Sequence, residues 1–397
     1  MLEYAGSQRG GLRAERDVAL LGLLRGVDWI LLAGVAGLVG VGLWGIAGVT
    51  KFDVPGQPHY FLDKQILYAA TGAVLLVTTL LIDPDLYRHY WKIIWGGTVG
   101  LIAVVFIGGH AAHGSTRWIS LGAFTFQPSE FGKLLFVLAL AGFLAERQRL
   151  VGSWGTTLKL LGFGIVPVLL VFAQPDLGTA LVYLAGLGAM LFVAGAPWKH
   201  LAVLGSGAAL VATVVLWAGP AMGVDFLKSY QKQRLTCFTH PTTCPVDARY
   251  NVEQSIAAVG SGQISGRGPN GATQTRLDFL PEHHTDFVFA SFSEQRGFVG
   301  ASLLLALYLL VLWRGLRVVT VARDLYSAVV AGGIVIALLF QIFVNVGMTM
   351  GVAPITGIPL PFVSVGGSSM IANLAAMGVL LAIHARGRAS RGAGRRR

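Results

Sequence analysis

Apolar residues fall into long runs joined by short polar stretches. A helix needs about 17–25 predominantly apolar residues to cross hydrocarbon. Ten stretches near that length occur, at 27–49, 65–82, 93–109, 131–145, 158–173, 177–195, 201–220, 298–313, 328–350 and 370–385. The pattern predicts an all-α polytopic membrane protein with ten transmembrane helices. A large outer loop, residues 221–296, separates the seventh from the eighth. Residues 1–26 read as a cytoplasmic N-terminal arm, 27–385 as the membrane domain, and 386–397 as a basic, disordered cytoplasmic tail. The arm mixes Glu3, Glu15 and Asp17 with arginines and has no apolar core ahead of a small-residue cleavage site, so no cleavable signal is expected.

Composition narrows the class. Hydrophobic residues make up 54% of the chain and charged residues 12%, about half the charge of a typical soluble domain. A soluble multidomain enzyme is excluded. Two cysteines are too few for a disulfide scaffold or an iron–sulfur carrier. The net charge of +11 invites a nucleic-acid reading, but the positions of the basic residues remove it. With both termini inside, the cytoplasmic segments hold 19 Lys and Arg and the short outer segments hold 4. That is the asymmetry that orients membrane helices. The basic excess therefore sets topology, and no nucleic-acid partner is expected.

Polar residues are costly near a membrane and mark function or special structure. Four outer segments concentrate them. In residues 114–133, Pro128 suits a first helical turn and places Glu130 and Lys133 on one face. They read either as a self-neutralising ion pair or as a positioned pair at a cavity edge. In residues 173–180, Asp176 suits a helix cap. The 221–296 loop contains Cys237 and Cys244, a candidate disulfide on an oxidising face, and residues 250–261 read as a short amphipathic helix. Its GRGPNG stretch, 266–271, matches a dinucleotide fingerprint formally, but no strand precedes it, so that reading is rejected. The loop ends in FLPEHHTDFVFA, where Glu282, His283, His284 and Asp286 crowd together. The spacing fits no standard zinc pattern, and no metal ligand is assigned. A carboxylate beside Phe287, Val288 and Phe289 would be desolvated and made more basic, or it caps a helix start. In residues 351–369, three prolines and a Gly-Gly-Ser-Ser run imply irregular backbone that is tolerated at membrane depth only inside protein or along a cavity. Backbone N–H groups at Gly366, Gly367, Ser368 and Ser369 could receive an anion.

RWISLGAF…QPSEFGK, QPDLGTA, YQKQR…QSIAAVGSG…GRG, FLPEHHTDFVFA and GIPLPFVSVGGSS resemble, in the same order, the signature stretches of the SEDS family, which includes RodA and FtsW. FLPEHHTDFVFA and the short N-terminal arm look more like RodA. The resemblance implies ten helices and a peptidoglycan glycosyltransferase of the bacterial cytoplasmic membrane. Such an enzyme polymerises lipid II on the outer face during elongation and releases undecaprenyl pyrophosphate. The implied partner is a class B penicillin-binding protein. Asp286 matches the family's essential Asp, Glu130 and Lys133 its acid–base pair, and Asp176 a further family Asp. The donor is α-linked and the product β-linked, so one inverting displacement suffices, with Asp286 as general base. Lys133, Arg117, Arg234 and the backbone at residues 366–369 are candidates for the leaving pyrophosphate. Glu282, His284 and Thr285 are further substrate-binding candidates. The sequence demands no cofactor, although a divalent cation, Mg or Mn, could assist. A lipid II flippase and a non-catalytic scaffold for the penicillin-binding protein are the rival classes.

Overall fold

The computed structural model describes residues 24–108, 110–112, 115–121, 124–215 and 246–394, together with Gly22 and Met222. The described residues are mostly helical, and the described part of each apolar run lies largely on a helix. Among the described residues, eight helices are long and apolar enough to cross a membrane: α1 (Trp29–Val49), α2 (Tyr60–Leu81), α3 (Trp91–Gly108), α4 (Pro128–Glu146), α5 (Trp154–Ala173), α9 (Val288–Val321), α10 (Leu325–Thr349) and α11 (Gly367–Gly394). The sixth and seventh runs form the shorter α6 (Leu177–Val193) and α7 (Trp198–Thr213). Helix α8 (Val246–Ser261) precedes α9.

Side-chain caps start several of these helices. Asp28 accepts from the Leu31 N–H, Ser153 from Thr156, Asp176 from Thr179 and Asp324 from Ser327. Such caps satisfy amide groups that the helix itself leaves unpaired. Pro128 occupies the first turn of α4, where its missing N–H is harmless.

Helices α4 and α11 form the centre and are almost wholly buried, while α2 and α3 bury only about a fifth of their apolar windows. The outer helices thus leave Leu67, Val74 and Ile93 exposed, as a lipid-facing shell requires. Helix α2 packs along α11, α1 against α9, α10 against α6, and α3 against α4. The α2–α11 contact depends on Gly72 and Gly378. A methyl group at Gly72 would meet the Leu374 side chain, and one at Gly378 the Leu76 carbonyl. Small residues permit this approach where no water drives helices together.

Three features depart from the sequence expectation. Residues 110–126 carry a small antiparallel sheet, β1 (His110–Ala112), β2 (Ser115–Leu121) and β3 (Phe124–Phe126), in the order β1-β2-β3. The fold is therefore not strictly all-α. The 386–397 tail, expected to be disordered, continues α11 as helix through Gly394. Arg386 donates to the carbonyls of Leu80 and Leu81, and Arg391 to that of Thr320. These bonds hold the basic turns against the bundle. Finally, α9 begins ten residues before the apolar run at 298. It breaks at Gly297, where φ is 64° and ψ −167°. There the backbone of residues 264–266 presses so closely that a Cβ on Gly297 would strike Gly266 N and Ile264 O. Only glycine takes that conformation readily.

Residues 250–261 do form a helix, within α8. Ala258 packs with Leu280, Phe287, Ala290, Met348 and Ile355, and Ser255 Oγ donates to Thr349 O at 2.9 Å. Its apolar face thus covers the protein. Residues 266–271 contain a short helix, Gly268–Gly271, with no strand before it, in keeping with the rejected dinucleotide reading.

Candidate active site

The polar groups gather at two ends of the bundle. At one end Asp28, Arg314 and His384 meet, and Arg323 lies against Asp83, Asp85 and Asp324. The other end holds the candidate chemistry, in two clusters joined by the segment that starts α11.

The first cluster is the turn 281–287, which leads into α9. Asp286 is half-buried and lies two residues before the helix rather than within it. Three successive carbonyls of this turn accept hydrogen bonds from elsewhere in the fold. His284 O accepts from Val365 N at 2.9 Å, Thr285 O from Ser364 Oγ at 2.5 Å, and Asp286 O from Asn345 Nδ2 at 2.9 Å. Asn345 also donates to Ile358 O at 2.7 Å. Inside the turn, Thr285 Oγ1 donates to Glu282 Oε2 at 2.6 Å. The 354–366 segment that supplies Ser364 and Val365 is irregular yet largely buried, including Ile358, Leu360 and Val363. Gln65 holds it from α2, with Nε2 donating to Ser364 O at 3.0 Å and Oε1 accepting from Gly366 N at 3.2 Å.

His283 and His284 face Asp53, in the segment after α1. His283 Nε2 lies 3.0 Å from Asp53 Oδ1, and His284 Nδ1 lies 3.4 Å from Asp53 Oδ2. Burial pulls the His283 pKa down, but the carboxylates of Asp53 and Asp278 outweigh it, so His283 sits above the ordinary histidine value. Burial, aided by neighbouring His283, holds His284 below that value.

The second cluster lies at the start of α4. Lys133 Nζ donates to Glu130 Oε2 at 2.8 Å, and both side chains are buried. Beside them, Asp176 caps α6, accepts from Gln127 Nε2 at 3.1 Å and pairs with Arg117 Nη1 at 3.4 Å. Two of the three candidate cations, Arg117 and Lys133, thus already face a carboxylate. Glu130 and Lys133 also line a small cavity of about 30 Å³ between α4, α10 and α11, with Gln341 and Asn373. Two buried polar atoms of its lining residues, Glu130 Oε1 and Gln341 Nε2, have no hydrogen-bond partner.

The 366–369 segment connects the clusters, with one correction. The Gly366 N–H, expected to be open to an anion, is taken by Gln65. The Ser368 hydroxyl accepts from Gln127 N at 2.9 Å and donates to Thr125 O at 3.3 Å, and Ser369 Oγ accepts from Asn373 Nδ2 at 3.2 Å. These side chains serve as struts. Arg234, Cys237 and Cys244 lie outside the described residues. Arg296 stacks on Trp44, its guanidinium 3.6 Å from the ring centroid. Sequence reasoning missed Asp53, Gln65, Gln127, Asn345 and Ser364. Polar side chains inside apolar runs, such as Gln65 and Asn345, were the available signal.

Known proteins were compared with this arrangement. Residues 27–389 match the family model FtsW/RodA/SpoVE, described as cell cycle protein. The chain belongs to this family. It is 38% identical over 330 residues to the peptidoglycan glycosyltransferase MrdB of Escherichia coli, covering 83% of this chain and 87% of that one. Among solved structures, it is similar to Thermus thermophilus rod shape determining protein RodA, with a TM-score of 0.67, 29% identity, and coverage of 90% and 96%. It is also similar to a chain solved in work on polymerization and crosslinking by a peptidoglycan synthase complex, with a TM-score of 0.76, 31% identity, and coverage of 91% and 98%. Family membership agrees with the motifs read from the sequence.

Proposed function

We infer that this membrane protein is a peptidoglycan glycosyltransferase that joins lipid II units into glycan strands. The observation that carries the reading is the clamp on Asp286. Bonds to the consecutive carbonyls of His284, Thr285 and Asp286 fix the backbone that bears this carboxylate. A general base needs such fixed placement within reach of the proton it removes. Asp286 takes the proton from the acceptor hydroxyl as the new bond forms, and the anomeric carbon inverts. The leaving group is a lipid pyrophosphate. Lys133, paired with Glu130, and Arg117, positioned by Asp176, stabilise its charge. Arg234 and the N–H groups of Gly367, Ser368 and Ser369 are further candidates.

Both termini lie on the cytoplasmic side and the site on the outer side. Gathering of the basic tail and the Arg314 and Arg323 clusters at the opposite end supports this orientation. A class B penicillin-binding protein is the proposed partner, and resemblance to RodA favours a role in elongation.

The test is polymerisation of lipid II by reconstituted protein and partner, with the partner's transpeptidase blocked. Asp286→Ala is expected to lower polymer formation by about 100-fold or more. Polymer at the wild-type rate would reject Asp286 as base. Lipid II translocation without any glycan product would reject the enzyme itself.

A further inference from the structure

Asp53 is some 230 positions from the histidines it faces, and the three residues form a compact donor set. One carboxylate oxygen of Asp53 and one ring nitrogen from each of His283 and His284 lie within 4.8 Å of one another. Both carboxylate–imidazole separations are shorter, at 3.0 and 3.4 Å. Ligands bound to one ion at about 2.1 Å in a tetrahedron stand roughly 3.4 Å apart. The spacing therefore suits a shared ion with little rearrangement.

Two further observations point to a ligand. His283 Nδ1 lies 3.2 Å from Leu280 O. If Nδ1 carries the proton and donates it there, the Nε2 lone pair is turned toward Asp53. A backbone anchor on the far nitrogen is the usual support of a metal-bound imidazole. His284 Nδ1 is buried and makes no hydrogen bond, although the Asp53 carboxylate is beside it. A buried polar atom without a partner calls for an explanation, and a cation between nitrogen and carboxylate supplies one.

We propose that Asp53, His283 and His284 bind a first-row divalent transition ion of the Zn²⁺ or Mn²⁺ class. Two imidazoles and one carboxylate favour such ions over Mg²⁺, which prefers oxygen donors. Three protein ligands leave coordination positions open. The ion ties the segment after α1 to the turn that bears Asp286 and exposes its open positions beside that turn. The site stands on its own geometry and does not depend on the activity assigned above.

The test uses full-length, tag-free protein in detergent, stripped with EDTA and titrated calorimetrically with ZnCl₂, MnCl₂ and MgCl₂. One equivalent of Zn²⁺ or Mn²⁺ per chain is expected, with affinity at least about tenfold weaker in Asp53→Asn and in His283→Gln. Mg²⁺ is expected not to compete. Absence of binding, or an affinity unchanged in both variants, would leave a plain histidine–carboxylate ion pair and overturn the proposal. Should the variants fail to fold, wild-type protein loaded with Cu²⁺ is read by pulsed electron paramagnetic resonance. Modulation from two imidazole nitrogens supports the site, and a spectrum without histidine nitrogen overturns it.

Discussion

Arg314 reaches one carboxylate oxygen of Asp28 with two nitrogens, Nε at 2.9 Å and Nη2 at 2.6 Å. Both side chains are more than nine-tenths buried. Asp28 also caps α1 through Leu31 N at 3.1 Å, so one carboxylate joins the start of α1 to the later turns of α9. Removing one member of a buried pair leaves an uncompensated charge and costs about 3–5 kcal/mol. Arg314→Met is expected to lower the melting temperature markedly. Adding Asp28→Asn, which keeps a capping acceptor, is expected to restore part of it. Thermal unfolding of the purified variants in one detergent checks the order. A double variant no better than the single would show that the buried charge is not what the single variant suffers from.

Asp176 has a structural duty that can be separated from its charge. Its Oδ1 accepts from Thr179 N, its Oδ2 from Gln127, and Arg117 lies beside it. Asp176→Ala removes the cap, at a cost of about 0.5–2 kcal/mol, and leaves Arg117 without this carboxylate. Asp176→Asn retains an acceptor for Thr179 N. Melting curves are expected to place Asn well above Ala, while polymerisation is expected to fall in both because Arg117 loses its orienting charge. Equal melting temperatures would show that the cap contributes little.

Ser364 tests the clamp without touching the proposed base. Its hydroxyl accepts from Leu360 N at 2.8 Å and donates to Thr285 O at 2.5 Å. Ser364→Ala strands both groups, costing about 1–3 kcal/mol, and loosens the backbone next to Asp286. Turnover is expected to drop by roughly tenfold or more, with lipid II affinity little changed. A variant that loses affinity but not turnover would contradict a positioning role.

Gly297→Ala places a side chain where φ is positive and the backbone of residues 264–266 is already in contact. The strain alone is about 1–3 kcal/mol, and the collision adds to it. Poor yield of folded protein is expected, seen as aggregation on size-exclusion chromatography. A Gly297→Ala protein with a wild-type melting temperature would mean that the break relaxes easily.

Much of this architecture was legible in the sequence because spanning helices are written in composition. Long apolar runs located most of the membrane helices within a few positions, with α9 the main exception, and Asp176 was readable as a cap. The region before 298 was harder. Residues 288–297 contain Ser291, Ser293, Glu294, Gln295 and Arg296, too polar to count toward a span. Two of them are satisfied inside the protein: Glu294 accepts from Gln274 N, Thr275 N and Thr275 Oγ1, and Ser293 Oγ donates to Phe289 O. The sheet at 110–126 escaped notice because STRWISL alternates only weakly. The helical tail escaped because its contacts are made to carbonyls on other helices. Asp286, Glu130 and Lys133 stood out as charges beside apolar runs. Asp53, Gln65 and Asn345 act through partners distant in the chain, and local spacing carries no trace of that.

Gly297 also divides two solvents. Before it, residues 288–295 are buried on all sides. After it, Phe298 and Val299 are 70% and 60% exposed, and Leu303 and Leu309 follow with 55% and 69%. The stub is solvated by protein and can hold carboxylate and amide groups; the remainder is solvated by acyl chains and must be greasy outward. Because the helical phase is reset at the break, the two parts answer to different environments independently. The first part packs against the loop before it, while the membrane part packs against α1 and α10.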